Sequence, residues 1–208
     1  AIQLLWLNLL TDGAPALALA MEKGDQDIML RKPRPTNEPI INGPMQAGIG
    51  VQTVLQTGAV LGAFAIGLIW ELAAHGHPIP EGMTALGHIL SFKNWDLVSE
   101  EVRTAETMAF VTLSASELLR AFTARSERYP LLKIGIFSNK WMNLAVLSSF
   151  VLMLGVVYLP FLNPIFQTVP LGWEQWELIL PLFLIPSIVA EVTKYLINRS
   201  EKRNRAKA

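Results

Sequence analysis

Long uncharged apolar blocks alternate with short polar stretches along this chain. Residues 51–70, 144–161 and 178–190 contain no Asp, Glu, Lys or Arg, and the charged side chains collect between them. A surface helix of a soluble protein carries a polar face that recurs every turn. Blocks this long and this featureless read instead as membrane-spanning helices, which need roughly 20 residues each. Two weaker stretches complete the pattern, each with ionisable groups at mid-span depth: Asp12 in one, Glu106 and Glu117 in the other. The predicted spans are 4–21, 45–72, 104–122, 141–161 and 176–197. The expected fold is therefore all-α, a polytopic transmembrane helical bundle of five spans forming one membrane domain over residues 1–208.

The basic residues orient these spans, because cytoplasmic loops carry the excess of Lys and Arg. Lys23, Arg31, Lys32 and Arg34 lie between spans one and two. Arg120, Arg125, Arg128, Lys133 and Lys140 lie between three and four, and Lys194, Arg199, Lys202, Arg203, Arg205 and Lys207 close the chain. Only Lys93 and Arg103 fall on the other side. The C-terminus is expected in the cytoplasm. Composition agrees with a bilayer environment: 51% of the 208 residues are hydrophobic and 16% charged. The 17 basic and 17 acidic residues cancel, so no nucleic-acid partner is indicated, and the absence of cysteine excludes disulfides and thiolate metal sites. The chain starts in an apolar run without a basic leader and reads as a piece of a longer polypeptide.

Chemistry concentrates in the first span, in Asn8-Leu9-Leu10-Thr11-Asp12-Gly13-Ala14-Pro15-Ala16. Asn8, Thr11 and Asp12 stand at i, i+3 and i+4, so a helix places all three on one face. Pro15 lacks an N–H and crowds the carbonyl one turn earlier, while Gly13 loosens the backbone, so this span is expected to break beside Asp12. Broken membrane helices occur where they are buried or line a cavity, and their freed groups can coordinate an ion there. Carboxylate, amide, hydroxyl and carbonyl oxygens suit calcium, whereas no sulfur or clustered imidazole is offered for zinc or copper. An intramembrane carboxylate is costly enough to mark a functional site. For Asn8 and Thr11, simple hydrogen bonding to neighbouring helices stays open.

Glu117 in the third span is the natural second carboxylate; pairing with Arg120 at i+3 is its alternative. Glu106 sits nearer the outer interface and reads as solvated or salt-bridged, and Glu191, three residues before Lys194, as half of a structural ion pair. Trp6, Trp70, Trp141, Trp173 and Trp176 read as interfacial anchors. His75, His77 and His88 lie in a Gly/Pro-containing loop and lack a convincing third ligand, so they read as solvated rather than metal-bound.

These residues carry a family resemblance. Gln3 to Ala16, with Asn8, Thr11 and Asp12 at its centre, resembles the sixth membrane helix of the P-type calcium-transporting ATPases. The stretch Asp27-Ile28-Met29-Leu30-Arg31-Lys32-Pro33-Arg34-Pro35-Thr36-Asn37-Glu38-Pro39-Ile40-Ile41 is similar to that family's loop between helices six and seven. The resemblance implies that the five spans are helices six to ten. It implies that Asn8, Thr11 and Asp12 are ion ligands, with Asp12 bridging two sites in two-site pumps, and that Glu117 completes one of them. Secretory-pathway relatives carry glutamine at the position of Glu117, and sodium/potassium pumps carry aspartate at that of Asn8. The pair therefore leans toward a sarco/endoplasmic-reticulum-like pump or a bacterial relative, in the latter case in the plasma membrane.

What the resemblance further implies lies outside these residues. The phosphorylation, nucleotide and actuator domains and the earlier helices are the expected partners, and they would use ATP and magnesium while calcium is the transported ion. The proline- and charge-rich loop at 24–42 is a candidate contact for those domains. The alternatives are a P-type pump for manganese, a monovalent cation or protons, or a non-enzymatic membrane carrier or assembly module. A secondary carrier would commonly repeat the broken helix in a matching half; Pro181 and Pro186 in the last span have no carboxylate beside them.

Overall fold

The computed structural model describes residues 2–25, 28–30, 39, 41, 43–74, 102–126 and 129–205. The described secondary structure is helical throughout. The first span is split into α1 (Ile2–Asp12) and α2 (Ala14–Ala20), and a single 3-10 turn follows at Ile28–Leu30. Then come α3 (Gly43–Ala74), α4 (Arg103–Thr123), the short α5 (Leu131–Ile134), α6 (Lys140–Tyr158), the short α7 (Asn163–Phe166) and α8 (Trp173–Arg205). The all-α bundle with one broken helix is thus observed. The loop holding His75, His77 and His88 lies outside the described residues, as does most of the 27–41 motif.

Among the described residues, four segments are long and apolar enough to cross a membrane: Ile2–Ala20, Met45–Ala73, Lys140–Tyr158 and Trp173–Leu196. They match four of the five predicted spans to within a few residues. The remaining one, 104–122, is helical along its predicted length as α4, yet its polarity keeps it out of that set, so five is an approximate count. The physical reason is its position. α4 packs against α1, α3, α6 and α8, and its Ala105, Met108, Val111, Ala115 and Leu118 are buried. A helix sheathed by other helices has no need of an apolar surface toward lipid. Two of its buried hydroxyls bond locally, Thr107 donating to Arg103 O at 2.7 Å and Ser116 to Leu113 O at 2.9 Å, whereas those of Thr112 and Ser114 have no hydrogen-bond partner among the described residues.

The main core gathers Leu7 and Leu10 of α1, Ala63 of α3, Met108, Phe110 and Val111 of α4, Met153, Val156 and Val157 of α6, and Ile179 of α8. Small residues allow close helix approach where packing rather than water drives association. Gly67 is the clearest case: a Cβ there would stand 2.7 Å from Ala105 Cα, so α3 and α4 touch backbone to backbone. α6 begins at Asn139, whose side chain accepts from Met142 N at 3.0 Å, the expected N-cap geometry. α8 runs 33 residues, roughly 50 Å by helix rise, longer than a hydrocarbon core of about 30 Å.

The tryptophans divide. Trp70, Trp141 and Trp173 are exposed near helix ends. Trp6 packs edge-on against Phe166 with ring centroids 5.3 Å apart, and Trp176 Nε1 donates to Tyr158 Oη at 2.5 Å. Glu191 forms the expected pair with Lys194 at 3.1 Å and also accepts from Leu131 N at 2.5 Å, tying α8 to α5.

Candidate cation site

Helix α1 ends at Asp12 and α2 begins at Ala14, with Gly13 between them at φ −79° and ψ −99°. Pro15 occupies the first turn of α2, where a missing N–H costs nothing. A Cβ on Gly13 would meet Leu9 O at 2.7 Å, so the break depends on glycine. The interruption leaves carbonyls near the end of α1 without intrahelical partners, and Ser149 of α6 recovers one of them by donating to Leu10 O at 2.9 Å. At the other end of α2, Asn139 Nδ2 donates at 3.1 Å to Ala18 O, which also accepts from Met21 N. A buried backbone acceptor in a membrane demands such a partner.

The last turn of α1 holds Asn8, Thr11 and Asp12 together. Asn8 and Asp12 are exposed in this chain, beside the exposed Leu4, Leu5 and Leu9, and Thr11 is half-buried with its hydroxyl donating to Leu7 O at 3.1 Å. Glu117 lies on the adjacent helix α4 and turns toward α3. Gln56 Nε2 donates to its Oε1 at 2.7 Å, and Arg120 Nη1 stands 3.5 Å from the same oxygen. A cavity of about 250 Å³, lined by Ile49, Gln52, Thr53, Gln56, Thr57, Glu117 and Arg120, opens beside it. No hydrogen bond or ion pair joins Glu117 to Asn8, Thr11 or Asp12 among the described residues. Nor do those residues contain a cluster of three or more His, Asp or Glu able to hold a metal. Oxygen ligands from further helices would be needed to complete a calcium shell of six to eight. Glu106, exposed here, lines a larger and mostly apolar cavity of about 380 Å³ with Gln3 and Gln167.

Two features escaped the sequence reading. The first is the pair Gln52 and Gln56, buried amides four residues apart on an apolar helix; their i, i+4 spacing is a legible signal. The second is the hub around Arg125, whose side chain is fully buried. Its guanidinium donates to Glu22 Oε2 at 2.7 Å, Glu22 Oε1 at 2.9 Å, Ser138 Oγ at 2.5 Å, Gly135 O at 3.0 Å and Ile136 O at 3.1 Å. All five N–H directions of the arginine are thereby used. Asn139 Nδ2 adds a bond to Glu22 Oε2 at 2.7 Å, and Lys194 Nζ donates to Thr123 O nearby. The hydrogen bond from Arg125 holds the Glu22 carboxyl below the ordinary glutamate range, against the opposing effect of burial and with help from Asn139. The hub fastens the far end of the broken helix to the connection between α4 and α6.

Comparison with known proteins agrees with this architecture. The family model described as "Cation transporting ATPase, C-terminus" matches residues 1–196. An endoplasmic reticulum calcium ATPase of Aspergillus fumigatus is 30% identical over 95% of this chain and 21% of its own length. A calcium-transporting ATPase of Bacillus subtilis is 35% identical over 90% of this chain and 18% of its own, and a probable calcium-transporting ATPase of Trypanosoma brucei brucei is 32% identical over 99% and 22%. The chain spans about a fifth of the length of these relatives. Four apolar helices of spanning length, a helix broken beside a carboxylate and a match across nearly the whole chain lead to one conclusion: this is a multi-pass membrane segment belonging to the C-terminal family of the cation-transporting ATPases.

Proposed function

We propose that residues 1–208 form the ion-carrying membrane domain of an ATP-driven calcium pump, with Asn8, Thr11, Asp12 and Glu117 supplying oxygen ligands. The observation that carries this reading is the break at Gly13. It lies within a segment of membrane-spanning length and sets Asn8, Thr11 and Asp12 in the turn that ends at the break. Calcium binds carboxylate, amide and hydroxyl oxygens together, which is the set that turn presents. A carboxylate on an exposed face within a span is costly in lipid. Further pump helices covering that face would remove the cost and add the missing ligands. The names of the relatives support calcium as the cargo.

ATP and magnesium act in phosphorylation and nucleotide domains beyond these residues, whose motions would reach the site through the cytoplasmic loops. The distribution of Lys and Arg supports a cytoplasmic C-terminus. The test is calcium-stimulated phosphoenzyme formation by the full-length protein in membranes, comparing wild type with Asp12→Asn and Glu117→Gln. Loss of calcium dependence in both variants is expected. Unchanged calcium dependence would return both carboxylates to structural roles, and dependence on manganese or a monovalent cation instead would favour the related pumps.

A further inference from the structure

Gln52 and Gln56 are the anomaly of α3. Both are buried, at 9% and 8% exposure, on a helix whose central twenty residues carry no charge. A buried amide without a partner is unfavourable in any apolar medium, and more so in a membrane helix. Here the two form a directed chain: Gln52 Nε2 donates to Gln56 Oε1 at 3.4 Å, and Gln56 Nε2 donates to Glu117 Oε1 at 2.7 Å. The direction has a chemical reason. An ionised carboxylate only accepts, so the Gln56 NH2 must face Glu117 and its carbonyl must face Gln52. Arg120 approaches the same Oε1, at 3.5 Å. One carboxylate oxygen thus meets two donors, whereas Oε2 has no hydrogen-bond partner among the described residues.

We propose that Gln56 is a positioning residue for Glu117, holding its Oε1 so that the carboxylate offers a cation a single oxygen, Oε2. The proposal rests on the calcium-pump reading above. Calcium accepts carboxylates through one oxygen or two, and the choice alters both its coordination number and the preferred ion. Without the Gln56 donor, Glu117 is left with Arg120 one turn away on its own helix, and the rotamer that pairs them competes with the one that serves the ion. Gln52 acts one step further back by fixing the Gln56 amide.

The test is the calcium dependence of phosphoenzyme formation by the full-length protein in membranes. A hydrogen bond to a charged group contributes roughly 1.5–3 kcal/mol, so Gln56→Met is expected to raise half-saturating calcium by about tenfold or more, with a smaller change in the plateau. Gln56→Asn keeps a polar amide but is one methylene too short to reach Oε1, and it is expected to shift half-saturation in the same direction even if Gln56→Met fails to fold. Wild-type half-saturation in either folded variant overturns the proposal, as does a reduced plateau without a shift, which is what a packing role alone would produce. Glu117→Gln measured in parallel separates the two layers. If it shifts calcium dependence while the Gln56 variants do not, only the positioning role fails. If it leaves calcium dependence untouched, the ligand reading of Glu117 fails first.

Discussion

Replacing Glu22 with glutamine tests the hub at the C-terminal end of the broken helix. The substitution preserves shape but removes the charge facing Arg125, whose side chain has no exposure while that of Glu22 has 15%. Two bonds between opposite charges, at 2.7 and 2.9 Å, become at best one from the guanidinium to an uncharged amide oxygen. Removing one partner of a buried ion pair costs about 3–5 kcal/mol, because the other charge is left desolvated. The residual exposure of Glu22 and the three remaining acceptors on Arg125 place the expected loss near the lower end, at about 3 kcal/mol. Unfolding of the purified full-length protein in mixed detergent micelles measures it. The double variant Glu22→Leu with Arg125→Met should recover part of the loss, as uncharged replacements of a buried pair often do. Because the folded state holds the Glu22 carboxyl below its ordinary value near 4.5, the unfolded state protonates first as pH falls. The stabilisation is complete above the unfolded value and disappears as pH drops through the lower folded one. Wild type should therefore lose more stability on acidification than Glu22→Gln does. A loss below about 1 kcal/mol with an unchanged acid profile, the behaviour of a surface pair, would refute the reasoning.

Three further outcomes follow from the geometry. Gly67→Val should destabilise the bundle by about 1–3 kcal/mol or more in the same micelle assay, since its Cβ would lie 2.7 Å from Ala105 Cα; a neutral result would mean that α3 and α4 are further apart. Gly13→Ala should shift the chain at the break to relieve a 2.7 Å contact with Leu9 O, raising half-saturating calcium for phosphoenzyme formation, and unaltered calcium dependence would show that the break tolerates a side chain. Ser149→Ala leaves Leu10 O without its donor and should cost about 1 kcal/mol in the micelle assay, with Ser149→Thr retaining most of the stability.

The helices of this protein were legible in its sequence because a membrane span is a local property. An unbroken apolar run must satisfy its own backbone, and only a helix does so within one segment. That is why 45–72, 141–161 and 176–197 correspond to α3, α6 and α8. The break beside Asp12 was local too, since Gly13 and Pro15 act within one turn of backbone, and helical spacing alone placed Asn8, Thr11 and Asp12 on one face. Only the tertiary structure decided which helix is sheathed by the others. α4 read as a weak span because hydropathy measures affinity for lipid, and its neighbours are protein. It also decided the partners of the polar groups. Glu22 meets Arg125 across 103 positions, Glu117 meets Gln56 across 61, and Leu10 O meets Ser149 across 139. Buried polar groups in a bilayer must find partners, so the sequence announces that pairing will occur. Which group pairs with which depends on how the helices cross, and that is set by side-chain packing between segments far apart in the chain.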